Sequence, residues 1–366
     1  MGLNESFLQT AASGDDPIDN FNSVLYTGDS PATQDVNTVG FQPDMVWVKA
    51  IDDTTNHILS DSIRGVCESL SPNTTADEVD MSPNGISAFN ADGFDVLAPT
   101  GGGQGVNENG TEYIGWSWKA GGAPSTPNTG GVSPTLGSKM VDGVADTSNF
   151  ATVTNGYPTM QTINTTLDFS ITQYTKTTGS SNAEIPHGLS GTPDFVILRF
   201  ISPGYADYWQ IYNSRSGTGN YLQLQDTAAV TTRANSFSTV NSDYVANHWT
   251  SVGLPIIIYS FKSKAGFSKI DYFAGTSATL PITGLGFAPR FVMIKAITTT
   301  GPWVMQDKTM NPSNPAVNHL RANSNSGENS GAGEQIDFDS NGFTINYNAC
   351  GNINCSGDDF LYVAFA

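Results

Sequence analysis

The apolar and polar positions along the chain follow the period of β-strands. MVWVKA (45–50) is apolar up to its lysine, which predicts a strand covered on both faces, while YIGWSWK (113–119) alternates and predicts a strand with one buried face. A helical period is nowhere sustained over about 12 residues. The pattern therefore predicts an all-β chain with little helix.

Turn signals separate the predicted strands. The segments FNADGFDV (89–96) and FDSNGFTI (338–345) carry Asp-Gly and Asn-Gly before an apolar residue. These dipeptides favour tight hairpins because they tolerate positive φ. Short strands with frequent turns are typical of antiparallel β-sandwiches, so a jelly-roll or lectin-like sandwich is the expected architecture.

One phrase is written three times in the chain. GFQPDMVWVKA (40–50) returns as GFAPRFVMIKA (286–296) and, in degraded form, as GTPDFVILRF (191–200). A strand-like segment with a tyrosine precedes each copy, and an aromatic strand closes each unit. Because these landmarks keep their order and similar spacing, they indicate three tandem repeats of one β-sandwich domain.

The repeats align further positions that carry polar or aromatic side chains. In the order of the three copies, the aligned sets are Lys49, Arg199 and Lys295; His57, Trp209 and Trp303; and Asp61, Asn213 and Asp307. The basic residues are expected to close their strands at the solvent edge. Trp209 and Trp303 are interpreted as core or sheet-face aromatics. Asp61 and Arg64 are interpreted as a buried or half-buried ion pair that fastens a loop, with ligand binding as the alternative.

The repeats divide the chain into five segments. These are an N-terminal attachment peptide (1–20), repeat 1 (21–120), a connector (121–166), repeat 2 (167–266) and repeat 3 (267–366). The connector is rich in Gly, Pro, Ser and Thr, which predicts a flexible or extended linker. Repeats 2 and 3 follow each other directly, so we expect a rigid pair to which repeat 1 is attached more loosely.

Charge and composition narrow the choice of partners. The 366 residues include 34 acidic and 15 basic ones, and the formal net charge of -19 repels phosphate backbones and anionic membranes. The start MGLNESFLQTAASGDD lacks the pattern of a secretory signal, and the longest apolar run, LPIIIYSF (254–261), is too short to span a bilayer. We therefore expect no nucleic acid partner, no membrane insertion and synthesis in the cytoplasm.

The cysteines do not form a disulfide framework. Cys67, Cys350 and Cys355 are too few and too unevenly placed. Cys350 and Cys355 are expected to be free thiols, with a local disulfide or a metal site as alternatives, although no further metal ligands lie nearby. Turns such as NADGFD could bind calcium, but hairpin chemistry explains the same residues. No metal and no cofactor are predicted.

Residues suited to catalysis do not form a recognisable set. Carboxylate pairs such as Asp52 with Asp53 and Asp358 with Asp359 lie in polar turns, where solvated carboxylates are expected. Glycan cleavage needs such a pair within a groove. The four histidines have no metal-like spacing, and no Gly-x-Ser-x-Gly elbow accompanies them. No catalytic residue is assigned, and a glycan-cleaving enzyme is only a distant alternative.

Aromatic residues that do not recur between repeats are the candidates for a receptor site. In repeat 2 these are Tyr205 and Tyr208 in SPGYADYW, and Tyr244 and Trp249 in SDYVANHW. Aromatic faces flanked by Asp and Asn suit stacking on sugar rings with hydrogen bonds to the hydroxyls. The alternative is that these rings pack against another repeat or another subunit.

The order of these features resembles a repeated β-domain of tail-fibre and other virion structural proteins of marine bacteriophages, cyanophages among them. The resemblance covers nearly the whole chain after residue 20, and repeat 2 is divergent. Repeat 1 carries it in Tyr26-Thr27-Gly28, Gly40-Phe41-Gln42-Pro43, Val46 to Lys49, Asp61 to Arg64, Asn73, Asp92-Gly93-Phe94 and Trp116 to Ala120. Repeat 3 carries it in Gly286 to Lys295, Trp303 to Asp307, Leu320 to Asn323, Asn341-Gly342-Phe343 and Tyr362 to Ala364.

The resemblance implies a virion component that is made in the host cytoplasm and has no active site. It implies first a tail fibre or tail-attached adhesin that contributes to host-surface recognition. A capsid-attached decoration or head-fibre protein is the alternative. The expected partners are two further copies in a homotrimer, another virion protein bound by the N-terminal segment, and a host surface glycan.

Overall fold

The regular structure of the chain is almost entirely β. The structure is a computed structural model, and it describes residues 17–97, 105–151, 153–179, 182–202, 208–248, 251–346 and 352–366. The helical residues in these ranges form two short 3-10 turns, Pro17–Asp19 and Ala332–Glu334. The sheets are antiparallel apart from one short parallel pair in the connector. The prediction of an all-β chain with little helix is confirmed.

The strands fall into three groups along the sequence. The first group is β1 (Phe21–Thr27), β2 (Gln34–Val36), β3 (Met45–Ala50), β4 (Ile58–Asp61), β5 (Glu68–Ser69), β6 (Val79–Asp80), β7 (Ile86–Asn90), β8 (Gly93–Val96) and β9 (Glu112–Trp118). The second is β10 (Lys139–Val141), β11 (Val144–Ala145), β12 (Gly156–Asn164), β13 (Phe169–Lys176), β14 (Ala183–Pro186), β15 (Phe195–Phe200), β16 (Gln210–Asn213), β17 (Asn220–Gln223), β18 (Thr231–Thr232), β19 (Thr239–Val240), β20 (Tyr244–Asn247) and β21 (Pro255–Phe261). The third is β22 (Ser268–Ala274), β23 (Leu280–Thr283), β24 (Phe291–Ala296), β25 (Trp303–Asp307), β26 (Asn318–Arg321), β27 (Asn329–Ser330), β28 (Ile336–Asp339), β29 (Gly342–Ile345) and β30 (Asp359–Phe365).

Three large sheets share one strand order. They run β1-β9-β3-β4 in repeat 1, β13-β21-β15-β16-β17 within a nine-stranded sheet in repeat 2, and β22-β30-β24-β25-β26 in repeat 3. The registers agree as well, since the corresponding pairs are Met45 with Asp61, Phe195 with Asn213, and Phe291 with Asp307. The positions that the sequence aligns therefore occupy equivalent places in the three sheets.

Each large sheet has a small sheet on one face. The small sheets are β2-β8-β7, β14-β20-β19 and β23-β29-β28. Val46 and Val48 of β3 pack with Phe94 of β8 in the apolar cluster of repeat 1, and repeats 2 and 3 each have a corresponding cluster. We call these three clusters the peripheral cores.

The opposite faces of the three large sheets meet in one central core. Successive residues of a strand point to opposite faces, so Met45 and Trp47 of β3 lie in this central core while their neighbours lie in a peripheral one. Phe365 of repeat 3 joins all three sheets, because its ring centroid is 5.7 Å from that of Trp118 and 5.9 Å from that of Phe261. The continuous apolar run of MVWVKA is explained, since both faces of its strand are buried.

Two expectations about local packing are wrong. Strand β9 is buried on both faces, because Trp116 and Trp118 enter the central core and Tyr113 enters a peripheral core. Gly115 permits this packing, since a Cβ atom there would lie 2.9 Å from Cζ of Phe94. Repeat 1 is also not loosely attached, because it contributes directly to the core that it shares with repeats 2 and 3.

The described part of the connector contains paired strands, so the expectation of a flexible or extended linker is wrong there. It contains β10, β11 and β12, and β12 pairs along its length with β13. The Gly- and Pro-rich composition correctly indicates turns, but β12 forms a hairpin with β13 and so extends the large sheet of repeat 2. The connector therefore belongs to the fold.

The two predicted tight hairpins are present. Strands β7 and β8 form one, and β28 and β29 form the other. Gly93 and Gly342 begin the second strand of each hairpin, with φ of 152° and 148°. A Cβ atom at these positions would lie 1.9 Å from the carbonyl oxygen of Val36 and 2.0 Å from that of Ile282. Glycine is required there by the close approach of the next strand.

A shared core predicts that the three repeats unfold together. Phe365 is 2% exposed, and we expect Phe365→Ala to lower the free energy of unfolding by about 3–5 kcal/mol through loss of burial and formation of a cavity. Calorimetry and urea unfolding should still show one cooperative transition for the whole chain. Two separated transitions, with the tryptophans of repeat 1 reporting a different midpoint from Trp303, would contradict a common core.

Candidate functional site

The large sheets of each pair of repeats meet at a boundary that we call a seam. Equivalent side chains form hydrogen bonds across the three seams. Trp209 Nε1 donates to the carbonyl of Ser71 at 3.1 Å, and Trp303 Nε1 donates to that of Gln223 at 2.8 Å. His57 takes the same place in repeat 1, with Nε2 at 3.1 Å from the carbonyl oxygen of Arg321. The contacts run in a cycle from repeat 1 to 3, from 3 to 2 and from 2 to 1.

The tautomer of His57 follows from its other neighbour. Trp47 Nε1, which can only donate, lies 2.8 Å from His57 Nδ1. Nδ1 is therefore the acceptor, and Nε2 carries the hydrogen that reaches the neighbouring repeat. Burial lowers the pKa of His57 to about 3, which keeps the ring neutral. His57 Nε2 thus donates a hydrogen bond across its seam, as the indole Nε1 of Trp209 and of Trp303 does at the other two seams.

Asp61 and Arg64 form a buried ion pair at the seam between repeats 1 and 2. Arg64 Nε lies 2.6 Å from Asp61 Oδ2, and Arg64 Nη1 lies 3.0 Å from Glu78. Tyr259 of repeat 2 donates its hydroxyl to Asp61 Oδ2 at 2.7 Å. The pair therefore fastens both a loop within repeat 1 and the contact between two repeats.

The equivalent carboxylate in repeat 3, Asp307, has donors but no ion-pair partner in the described part of the chain. Trp116 Nε1 donates to Asp307 Oδ2 at 3.0 Å and Ser23 Oγ donates to Oδ1 at 3.2 Å, both from repeat 1. The amide of Thr309 donates at 2.7 Å. Burial raises the pKa of Asp307, since desolvation outweighs these hydrogen bonds.

The third seam lies between repeats 2 and 3. Neutral groups occupy the two positions that hold a carboxylate and a ring donor at the other seams. Asn213 replaces the aspartate, and Val363 stands where Trp116 and Tyr259 stand in the other repeats. Asn213 Oδ1 accepts from the amide of Ser216 at 2.9 Å. A carboxylate is not needed here because the partner has no ring donor.

The basic residues of the repeated phrase are buried, so the expectation that they close a strand at its solvent edge is wrong. Lys49, Arg199 and Lys295 are at most 1% exposed. Arg199 Nη2 donates to the carbonyl of Thr75 in repeat 1 at 2.9 Å, and Lys295 Nζ donates to that of Thr227 in repeat 2 at 3.1 Å. Burial lowers the pKa of both Lys49 and Lys295 to about 8. Arg199 and Lys295 therefore also fasten seams, whereas Lys49 Nζ donates within repeat 1, to the carbonyl of Asp53 at 3.0 Å.

A polar cleft lies beside the start of β1 and the end of β9. Its volume is about 320 Å³, and its walls include Gln42, Asp44, Lys119 and Asp142. Asp44 accepts from the hydroxyl of Ser62 at 2.7 Å and from the amide of Ala120 at 2.7 Å. Burial raises its pKa. Asp44 is fully engaged in fixing the chain where it leaves repeat 1.

A second cleft of about 330 Å³ is lined by Arg290, Lys308, Thr309 and Pro312. Sequence reasoning did not single out these residues. The signal was present in the alignment, because the residue after the aligned proline is Asp44 in repeat 1, Asp194 in repeat 2 and Arg290 in repeat 3. A change of charge at one position of a repeated phrase was the feature to look for.

The receptor candidates of repeat 2 are only partly described. Tyr208 is 43% exposed, and it directly precedes the buried Trp209. Tyr244 is half-buried at the start of β20, where it pairs with Pro186. Tyr205 and Trp249 lie outside the described residues.

Other candidate residues have structural surroundings in the described part of the chain. His187 and His319 are buried, and burial lowers the pKa of each. No group of three or more His, Cys, Asp or Glu side chains that could hold a metal ion occurs among the described residues. None of the helices found there has the length and apolar character needed to cross a membrane.

The cysteines differ from the expected free thiols. Cys67 is a buried free thiol, whereas Cys355 is disulfide-bonded. The alternative of a disulfide therefore holds for Cys355, while Cys350 lies outside the described residues. Spacing alone could not separate the two states, since six-residue loops of this kind suit either.

The comparisons with known proteins place the chain in one family. A family model described as a domain of unknown function (DUF7483) matches residues 16–366, so the chain belongs to that family. Searches of curated proteins and of solved structures return no match. The matched range includes all three repeats.

The seam chemistry predicts the outcome of introducing a carboxylate at the neutral seam. We expect Asn213→Asp to lower the free energy of unfolding by about 3 kcal/mol at pH 7, because the charge would be buried without a cation or a ring donor. Burial would raise the folded-state pKa above the unfolded value, as it does for Asp307. The protonated form is then favoured in the folded state, so the loss should shrink as the pH falls toward 4.

Urea unfolding of the wild type and the variant between about pH 4 and 7 measures this difference. Asp307→Asn is the matched control, and its stability relative to the wild type should improve as the pH rises, since the wild type pays an increasing cost for ionising Asp307. A pH-independent effect of Asn213→Asp would contradict the assignment of this seam as one that excludes charge.

Proposed function

We propose that this member of the DUF7483 family is a structural protein of a bacteriophage virion, and first a tail fibre or tail-attached adhesin that contributes to host-surface recognition. We also propose the finer architecture of three tandem β-sandwich repeats of jelly-roll or lectin-like type. The support for the architecture is that each large sheet packs against a small sheet across its own apolar core. The support for the virion role is the resemblance of the repeated phrase to phage fibre domains.

The observation that carries the proposal is the shared central core. It makes three domains into one rigid body, held by apolar packing and by polar contacts at every seam. A rigid, acidic, turn-rich body suits a virion part that must keep its shape and resist nonspecific binding. The recurring aromatic and charged residues are used inside this body, which leaves recognition to residues that differ between repeats.

A capsid-attached decoration or head-fibre protein is the second candidate function. The large sheets surround one core and do not follow one another along a line, which suits a compact knob better than an extended rod. A homotrimer of whole chains would need an interface other than the seams, because the seam contacts are already made within one chain.

We expect the N-terminal segment to attach the protein to the particle without contributing to the stability of the fold. Asn20 is 4% exposed, and its carbonyl accepts a hydrogen bond from the backbone amide of Lys119. The family match begins at residue 16. We therefore place the deletion at residues 1–15, within the predicted attachment peptide 1–20. The truncated protein should keep the melting temperature of the full chain but fail to enter particles, as measured by immunoblotting of purified virions. Normal incorporation would contradict an attachment role.

The receptor proposal predicts a loss of glycan binding without a loss of stability. Tyr208→Ala should reduce binding of the protein to a glycan array, because the exposed ring would no longer stack on a sugar. Tyr272→Ala in repeat 3 is the control, since that ring is 45% exposed and was not proposed as a receptor residue. Equal binding by the wild type and Tyr208→Ala, or no binding by the wild type, would remove Tyr208 from the proposal.

A further inference from the structure

We infer that Arg290 and Lys308 form a binding site for the carboxylates of an acidic peptide segment in a partner protein. This inference does not depend on the proposed virion role. It follows from a comparison of equivalent positions in the three repeats, from the cleft that the two residues line, and from the net charge of the chain.

Arg290 occupies a position that holds an aspartate in the other two repeats. It directly precedes β24, as Asp44 precedes β3 and Asp194 precedes β15. The backbone amides make the same hydrogen bond in each case, from Asp44 to Trp118, from Asp194 to Phe261 and from Arg290 to Phe365, at 2.8, 2.9 and 2.8 Å. The three carbonyls belong to residues whose aromatic rings lie in the central core. The three positions therefore surround one end of that core.

Lys308 is likewise the counterpart of a serine in the other two repeats. Its amide donates to the carbonyl of Arg290 at 2.8 Å, as the amides of Ser62 and Ser214 donate to the carbonyls of Asp44 and Asp194 at 2.8 and 2.9 Å. Repeats 1 and 2 therefore have an aspartate and a serine at this pair of positions. Repeat 3 has two cations.

The aspartates have a clear structural use in repeats 1 and 2. Asp44 accepts from the amide of Ala120 at 2.7 Å, and Asp194 accepts from the amide of Ser263 at 2.8 Å. Each carboxylate thus satisfies backbone donors of the segment that follows the last strand of its own repeat. In repeat 3 the same place offers hydrogen-bond donors and positive charge, so it suits an external acceptor.

Nothing in the described part of the chain supplies that acceptor. Arg290 is half-buried and Lys308 is exposed, and neither side chain has a hydrogen bond or an ion pair with a described residue. Two cations that line one cleft repel each other, and a bound carboxylate would relieve this repulsion. The guanidinium fork can hold a carboxylate through two parallel hydrogen bonds while the ammonium supplies a third donor.

The net charge of the chain favours a short acidic peptide over an extended polyanion. With a formal charge of -19, the surface as a whole repels nucleic acids and sulfated glycans. Charges are screened beyond about 8 Å at physiological salt, so one or two carboxylates within the cleft would respond mainly to Arg290 and Lys308. A cleft of about 330 Å³ accommodates side chains of a peptide.

Fluorescence anisotropy with the full-length protein and the labelled peptide Gly-Glu-Gly-Asp-Gly-Glu tests the inference at about 50 mM salt. The peptide with Gln and Asn in place of the acids should bind at least about tenfold more weakly. The double variant Arg290→Asp with Lys308→Ser copies the pair that the fold already contains twice, so it should fold normally. It should lose at least about tenfold in affinity for the acidic peptide, whereas Arg290→Lys with Lys308→Arg should retain affinity within about threefold.

A second control separates the site from the net charge. The first double variant makes the chain more negative by three charges, and so does the triple variant Val79→Glu, Leu136→Glu and Val144→Glu, whose parent side chains are 52%, 68% and 67% exposed. The triple variant should bind the acidic peptide nearly as well as the wild type. The inference is overturned if the wild type does not bind, if both variants lose affinity equally, or if heparin or DNA binds more tightly than the peptide.

Discussion

The back-to-back packing of three two-faced sheets is the constraint on which the rest of the structure depends. Each large sheet has one apolar face covered by a small sheet of its own repeat, and this leaves a second apolar face that water cannot favourably cover. Three such faces cover one another in the central core, where Phe365 contacts rings of both other repeats. A single repeat cut from this arrangement would expose its share of the central core to water.

This packing buries polar groups along the seams, and each of them needs a partner. Equivalent positions solve the problem with different chemistry. Asp61 has the cation Arg64, Asp307 has only neutral donors, and Asn213 has no charge to neutralise. The backbone geometry is thus kept while the residues diverge, as expected when a buried charge is costly unless its partners change with it.

The sequence predicted the strands, the hairpins and the equivalent positions, because these depend on periodicity and on turn chemistry between near neighbours. It did not predict the central core, since a strand apolar on both faces indicates burial without indicating what buries it. Lys49 and Lys295 were expected at a solvent edge because lysine is rarely buried. Their burial depends on carbonyl partners such as Thr227, 68 residues away from Lys295. The hairpin of β12 with β13 was missed because the turn-rich composition was taken to describe the whole connector, including the segment that forms β12.

The division between shared and divergent positions also locates function within the fold. A residue that fastens a seam cannot change alone, because its partner in another repeat would be left buried and unpaired. The positions of Asp44, Asp194 and Arg290 are different, since they surround one end of the core and face clefts or the chain that leaves each repeat. A reversal of charge is accommodated in repeat 3 because Arg290 is half-buried and lines an open cleft, whereas the equivalent Asp44 is buried and held by hydrogen bonds. Divergence at this position, within a body whose other equivalent positions are tied together, is the observation on which the inferred carboxylate site of Arg290 and Lys308 rests.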